Sequence, residues 1–180
     1  FTSFSESISP EQVVSMLNVF LRAQAKVVNG HGGQVDKYVG DELVAVFLDD
    51  DRIDRAAYRA INCAKQIQRV LAKLRETGLV AMVEVGIGIN VGPVVMGAIG
   101  TEERMDYTVI GDTVNVGARL CSAATRSQII VSEAVKEIVE RHWSGKHVFT
   151  ELQPMQFKNK SRPMQVYEVP YDLENPQSHA

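Results

Sequence analysis

Residues 104–120 read RMDYTVIGDTVNVGARL, and this stretch indicates how the chain folds. Met105 to Ile110 reads as a short strand, and Gly111-Asp112 opens a helix directly after it. In that helix Asp112, Asn115 and Arg119 recur at helical spacing, so they share one face. An amide and a guanidinium near a helix start can form an anion site. The alternative is that Asn115 bonds to the backbone and Arg119 extends to solvent.

Upstream of this stretch the pattern predicts a helix followed by a tight hairpin. Ser9-Pro10-Glu11-Gln12 starts the helix with a capping box. Two β-like runs, 34–39 and 43–48, follow and are separated only by Gly40-Asp41-Glu42. Asp41 at the tip is either a solvated turn residue or a ligand for a hard cation. Lys37 alternates in direction with its neighbours and reads as a solvated edge lysine.

The remaining pattern mixes helices with short strands. Ile53 to Leu74 forms a long apolar helical stripe, and 83–91 followed by 94–96 predicts a second hairpin through Gly92-Pro93. The glycines Gly86 and Gly88 lie within that strand pattern, which favours close approach of another backbone over a dinucleotide fingerprint. Later runs predict a strand at 129–131, a helix after Ser132, and strands at 155–157 and 164–169. This order predicts an α+β fold and excludes a doubly wound parallel one.

Composition narrows the functional classes. The chain has 180 residues, 45% hydrophobic and 23% charged, with a net charge of −3. It has no basic stripe for nucleic acid and no apolar run of membrane-spanning length. Cys63 and Cys121 fall in helix-like stretches. We expect both to be small buried side chains without a disulfide, as in a protein of a reducing compartment. The histidines lack metal-ligand spacing, which argues against zinc chemistry.

Three further motifs complete a recognisable set. They are the run 36–41 (DKYVGD), the opening residues 1–6 (FTSFSE), and the closing segment from Phe157-Lys158 to Val169. With residues 104–120 they occur in order and resemble the class III nucleotidyl cyclase catalytic domain. The resemblance covers residues 1–169 and leaves 170–180 as a frayed tail.

The resemblance implies a ferredoxin-like α+β domain with a mixed sheet, which forms a head-to-tail homodimer with composite active sites. It implies an adenylyl cyclase that converts ATP to 3′,5′-cyclic AMP and pyrophosphate. Two Mg²⁺ or Mn²⁺ ions would assist attack of the ribose 3′-hydroxyl on the α-phosphate. The domain would lie in the cytoplasm, with no nucleic-acid partner and no direct membrane contact, although the whole protein could be larger or membrane-attached.

The resemblance also implies a role for individual residues. Asp41 would be a metal ligand, and the backbone around Phe1 and Thr2 would hold the β- and γ-phosphates. The partner chain would supply the remaining groups: Lys37 and Thr108 for the purine, Asn115 for the ribose, Arg119 for charge on the α-phosphate, and Lys158 for the terminal phosphates.

The base can be argued from hydrogen-bonding chemistry. Lys37 only donates and the Thr108 hydroxyl can accept, a pair that suits adenine. Guanylyl members usually place an acidic residue where Lys37 stands. Threonine at position 108 is similar to the family branch that includes bicarbonate-responsive enzymes, so a bicarbonate response is a further expectation.

Two alternatives remain open, a guanylyl cyclase and a catalytically silent module for dimerisation or nucleotide sensing. The family's first metal aspartate lies on a first strand upstream of the position matching Phe1. We expect that strand to precede this sequence, and a protein truly lacking it to be nearly inactive.

Overall fold

A computed structural model describes residues 9–49, 51–78, 84–157 and 161–171. The helices are α1 (Pro10–Gly30), α2 (Ile53–Glu76), α3 (Asp112–Ala123) and α4 (Glu133–His142). The strands are β1 (Gln34–Val39), β2 (Glu42–Val46), β3 (Ile87–Ile89), β4 (Val95–Thr101), β5 (Arg104–Ile110), β6 (Ile129–Ser132), β7 (Thr150–Glu151) and β8 (Val166–Glu168).

The central sheet is mixed and is covered on both faces. Its strand order is β3-β6-β8-β7, with β3 parallel to β6 and the other pairs antiparallel. Because side chains alternate along a strand, Ile129 and Val131 pack with α2 and α4, whereas Ile130 packs with Val116 and Leu120 of α3. The predicted α+β fold is confirmed.

Two antiparallel hairpins, β1–β2 and β4–β5, are the other sheets of the described chain. The capping box at the start of α1 is present, since the backbone N–H of Gln12 donates to Ser9 Oγ at 3.3 Å and that of Ser9 to Gln12 Oε1 at 3.1 Å. The predicted first hairpin and the helix after it are both confirmed, within a few residues at their ends.

The predicted second hairpin is wrong. Strand β3 pairs in parallel with β6, and β4 pairs with β5 through the turn at Glu102-Glu103. Strand β3 is covered on both faces, as is typical of strands in parallel pairs: Ile87 and Ile89 pack with the core cluster of α2, and α3 lies on the opposite face. A Cβ at Gly88 would overlap the backbone of Cys121 and lie 2.7 Å from the carbonyl oxygen of Gly117. Close backbone approach at this glycine is therefore confirmed, and residues 86–88 do not open a helix.

The tail and the cysteines show smaller differences. The run 155–157 contributes an isolated bridge between Met155 and Met164, and β7 was missed because it is only two residues long. Cys63 is buried and Cys121 half-buried, and both thiols are free, as predicted. Among the described helices none is both long and apolar enough to cross a bilayer.

Candidate active site

A β-bulge in β1 sets the direction of the two side chains at its centre. The register with β2 runs from Val35↔Ala45 to Lys37↔Val44, so Asp36 is the additional residue. In such a bulge, regular alternation is interrupted. Asp36 and Lys37 therefore both reach Thr108, and the predicted alternation of Lys37 with its neighbours is wrong at this point.

Lys37, Thr108 and Asp36 form a hydrogen-bonded cluster. Lys37 Nζ donates to Thr108 Oγ1 at 2.7 Å, and Thr108 Oγ1 donates to Asp36 Oδ2 at 2.7 Å. The backbone N–H of Val109 donates to Asp36 Oδ1 at 3.2 Å. Lys37 Nζ also lies 3.5 Å from Asp36 Oδ2. Lys37 is thus bonded to β5, in place of the solvated edge lysine that spacing alone predicts.

Asp41 lies in the turn of the β1–β2 hairpin, directly after Gly40, whose φ of +62° is left-handed. Its carboxylate is exposed and makes no hydrogen bond or ion pair with the described residues. An unpaired carboxylate on a rigid hairpin suits a hard cation such as Mg²⁺, which needs only one or two carboxylates beside phosphate oxygens. The described ranges hold no group of three or more potential metal-binding side chains.

The hairpin tip lies within electrostatic reach of α3. Burial raises the pKa of the Cys121 thiol, and the negative charges of Glu42 and Asp41 raise it further. A thiol held protonated is a poor nucleophile, so Cys121 is not a candidate nucleophile.

Helix α3 carries Asn115 and Arg119, two of the three residues that the sequence places on one face. Its buried face carries Val116 and Leu120, while Asn115 is exposed and Arg119 half-buried. Nη1 of Arg119 is buried, and nothing in the described ranges hydrogen-bonds to it. The sequence left open an alternative in which Asn115 bonds to the backbone and Arg119 extends to solvent. That arrangement is not observed among the described residues.

Arg119 lines an open cleft of about 500 Å³ with Ser122, Ala123 and residues 155–157. Three predicted substrate-binding residues, Phe1, Thr2 and Lys158, lie outside the described residues. Phe157, the last described residue before Lys158, is one of the residues that line the cleft.

Sequence reasoning missed Asp36. The available signal was a carboxylate inside a predicted strand, next to a lysine. Its side chain is only 4% exposed, and buried carboxylates are normally paired. Since a bulge depends on cross-strand register, the spacing within β1 could not show which way Asp36 points.

Comparisons with known proteins show the family to which the chain belongs. A family model, the adenylate and guanylate cyclase catalytic domain, matches residues 1–169. An adenylate cyclase of Anabaena cylindrica is 35% identical over 180 residues, which cover 94% of this chain and 34% of the relative. The chain thus spans about a third of that protein's length.

Solved structures share the fold. The adenylyl cyclase CyaB from P. aeruginosa matches with a TM-score of 0.85 and 28% identity, covering 95% of this chain and 88% of the other. The guanylyl cyclase Cya2 matches with a TM-score of 0.85 and 33% identity, covering 98% and 89%. The family match over nearly the whole described chain, together with these structures, shows that this chain belongs to the class III adenylyl and guanylyl cyclase catalytic domains.

Proposed function

We propose that this domain is an adenylyl cyclase, converting ATP to 3′,5′-cyclic AMP and pyrophosphate at the interface of a homodimer. The observation that carries the proposal is the contact between Lys37 and Thr108, which are 71 residues apart in sequence. It joins a group that only donates to one that can accept.

When a purine is bound in one fixed orientation, this pair favours adenine over guanine. Adenine presents an acceptor at N1 and a donor at its 6-amine, whereas guanine presents a donor at N1 and an acceptor at O6. Lys37 would donate to N1 of adenine, and Thr108 would accept from the amine. Guanine would oppose both groups with the wrong polarity, leaving buried polar atoms unpaired at a cost of about 1–3 kcal/mol each.

The reacting end of the nucleotide would meet α3 of the partner protomer. The ribose 3′-hydroxyl would release its proton to solvent, and its oxygen would form a bond to the α-phosphorus while the bond from the α-phosphorus to the bridging oxygen breaks and pyrophosphate leaves. Asn115 would orient the ribose, and Arg119 would stabilise the charge that develops on the α-phosphate. Phe1 and Thr2, through their backbone, and Lys158 would hold the terminal phosphates.

Asp41 fits the role of a metal ligand because its carboxylate is exposed on a hairpin turn. Bound Mg²⁺ or Mn²⁺ would supply Lewis-acid activation of the hydroxyl and neutralise phosphate charge. Asp41 would hold the cation where the triphosphate arrives.

The β4–β5 hairpin supports a homodimer. Val95 is 65% exposed on one face of the hairpin, and Met105 and Tyr107 are 60% and 70% exposed on the other, so a monomer would leave apolar side chains of both faces in water. Since one chain carries both metal-side and base-side residues, a symmetric pair gives two composite sites.

The test is nucleotide turnover by the domain extended upstream of Phe1, with Mg²⁺ or Mn²⁺ and with ATP or GTP. We expect cyclic AMP from ATP, weaker use of GTP and loss of activity in EDTA. The likeness to a guanylyl cyclase structure favours the alternative substrate, and preferential use of GTP would establish it. Dimers that bind nucleotide without turnover would indicate the silent module instead. Adding bicarbonate to the same assay tests the expected response.

A further inference from the structure

The hydrogen atom of the Thr108 hydroxyl can be located by counting donors and acceptors. An ammonium group has only hydrogens to donate, and a carboxylate has only lone pairs to accept. Both Lys37 Nζ and Asp36 Oδ2 lie 2.7 Å from Thr108 Oγ1. The hydroxyl must therefore accept from Lys37 and donate to Asp36. One lone pair is left, so toward any ligand Thr108 can act only as an acceptor.

Asp36 is held firmly in the position that imposes this polarity. Its Oδ1 accepts the backbone N–H of Val109, and its Oδ2 faces both the Thr108 hydroxyl and the Lys37 ammonium. The carboxylate side chain is 4% exposed, and the β1 bulge turns it toward β5. Rotation would leave the Val109 N–H and the buried carboxylate without partners, which is unfavourable.

We propose that Asp36 is a positioning residue that fixes the Thr108 hydroxyl as an acceptor and thereby contributes to the choice of adenine over guanine. The inference rests on the proposed function, because it concerns the base that this pair contacts. Asp36 acts through Thr108 and needs no contact with the nucleotide.

Without Asp36 the discrimination by Thr108 would weaken. A threonine hydroxyl that is free to rotate can accept from the 6-amine of adenine or donate to O6 of guanine. With its hydrogen bound to Asp36 it can only accept, so its lone pair faces the lone pairs of guanine O6. Thr108 therefore disfavours guanine because Asp36 takes its hydrogen and leaves the hydroxyl able only to accept.

The variant Asp36→Asn tests this polarity with almost no change in shape. The Val109 N–H needs an acceptor, so the amide oxygen takes that side and the amide NH₂ faces Thr108 Oγ1. The NH₂ donates to the hydroxyl, whose hydrogen is then released toward the base. We expect the ratio of kcat/KM for ATP to that for GTP to fall by about tenfold or more. A ratio unchanged from wild type would overturn the inference.

A second substitution tests whether Asp36 acts on the base preference through Thr108 or through Lys37. In a Thr108→Val background there is no hydroxyl to orient, so Asp36→Asn should change the ratio less than about twofold. An equally large fall in that background would mean that Asp36 acts through Lys37, contrary to the inference. If the role of Asp36 were only structural, Asp36→Asn would lower the thermal stability of the domain, or kcat with both nucleotides. The ratio of kcat/KM for ATP to that for GTP would then stay unchanged.

Substrate analogues give a test on the wild-type domain, independent of how the variants fold. Purine riboside triphosphate and its 6-methoxy derivative both keep the N1 acceptor for Lys37, but only the second places an oxygen acceptor at position 6. We expect lower kcat/KM for the 6-methoxy compound, and equal or better use of it would contradict the inference. Wild-type domain that makes no cyclic AMP would instead refute the proposed function.

Discussion

At the scale of single residues, Arg119 carries a charge that the described residues leave without a hydrogen bond. Its Nη1 is buried, and a buried cationic donor without a partner is costly. Such a group is stabilised when an anion arrives. In the proposed reaction that anion is the α-phosphate, whose negative charge increases in the transition state.

Replacing Arg119 tests this role. We expect Arg119→Ala to lower kcat for cyclic AMP formation by about 10²–10³, the scale for removing one donor to a transition state, with little change in KM. The control is Arg126→Ala, whose side chain is 85% exposed and pairs with Glu84 at 3.9 Å. Steady-state kinetics on both variants decide the matter, and an effect confined to KM would contradict a transition-state role.

At the scale of elements, the position of Asn115 and Arg119 depends on how α3 packs on β3. Gly88 lets the helix backbone lie where a side chain would otherwise be, and fully buried Leu120 lies on the same helix face. A residue without a Cβ is therefore required in this strand for a packing reason.

We expect Gly88→Ala to lower the free energy of unfolding by about 1–3 kcal/mol, because the methyl group would overlap backbone that cannot rotate away. Gly97→Ala is the matched control, since it also lies in a strand and a Cβ there would meet nothing within 4 Å. Urea denaturation of the two variants measures the difference, and equal stability would refute the packing argument.

The β4–β5 hairpin is the second element with a predicted role. We expect Val95→Asp to weaken dimerisation by about tenfold or more, because the interface would bury an unpaired carboxylate. Val148→Asp is the control, since Val148 is exposed to the same 65% but lies on the loop after α4. Sedimentation velocity measures both, and an equal loss of dimer in the two variants would show that the hairpin is not the interface.

At the scale of the whole molecule, an aromatic cluster joins α2 to the chain that follows α4. Tyr58 stacks on Trp143 with ring centroids 4.4 Å apart, and it lies 5.0 Å from the ring of His147. Trp143 Nε1 donates to Asp54 Oδ2 at 3.2 Å, and Arg52 binds the same carboxylate. The hydrogen bond from Arg52 holds the pKa of Asp54 well below its usual range.

His147 makes this cluster sensitive to pH. Burial lowers the pKa of His147 to about 4, with a smaller contribution from the charge of Lys65. The unfolded chain, with a histidine pKa of about 6.5, therefore binds more protons between these two values. The contribution of neutral His147 to stability is fully present above about pH 6.5 and is lost as the pH falls toward 4. The ion pair of Asp54 stabilises the fold above the ordinary aspartate pKa and loses that effect only at lower pH, so it does not change between about pH 7 and pH 5.

We expect the melting temperature of the wild type to fall more between about pH 7 and pH 5 than that of His147→Phe, which keeps an aromatic ring without a titrating group. Val148→Ala, at an exposed position next to His147 that carries no titrating group, should keep the wild-type dependence. Differential scanning calorimetry at the two pH values provides the measurement, and parallel curves for wild type and His147→Phe would rule out this contribution.

Several elements could be predicted from the sequence because their signals are local. The capping box at Ser9, the apolar stripe of α2, and the strand-to-helix transition at Gly111 each depend on residues within a few positions of one another. The same local motifs carried the family resemblance, and with it the candidate roles of Asp41, Asn115 and Arg119.

Tertiary structure alone decided the strand partners and the surroundings of the Lys37–Thr108 pair. Strand β3 pairs with β6 although residues 87–89 and 129–131 are far apart in sequence, and the bulge at Asp36 depends on register with β2. Side-chain periodicity states which residues share a face, but not which distant strand lies opposite. The sequence by itself thus determined the family and the residue types of the site. Contacts across about 70 residues decided that Thr108 has an aspartate to hold its hydrogen.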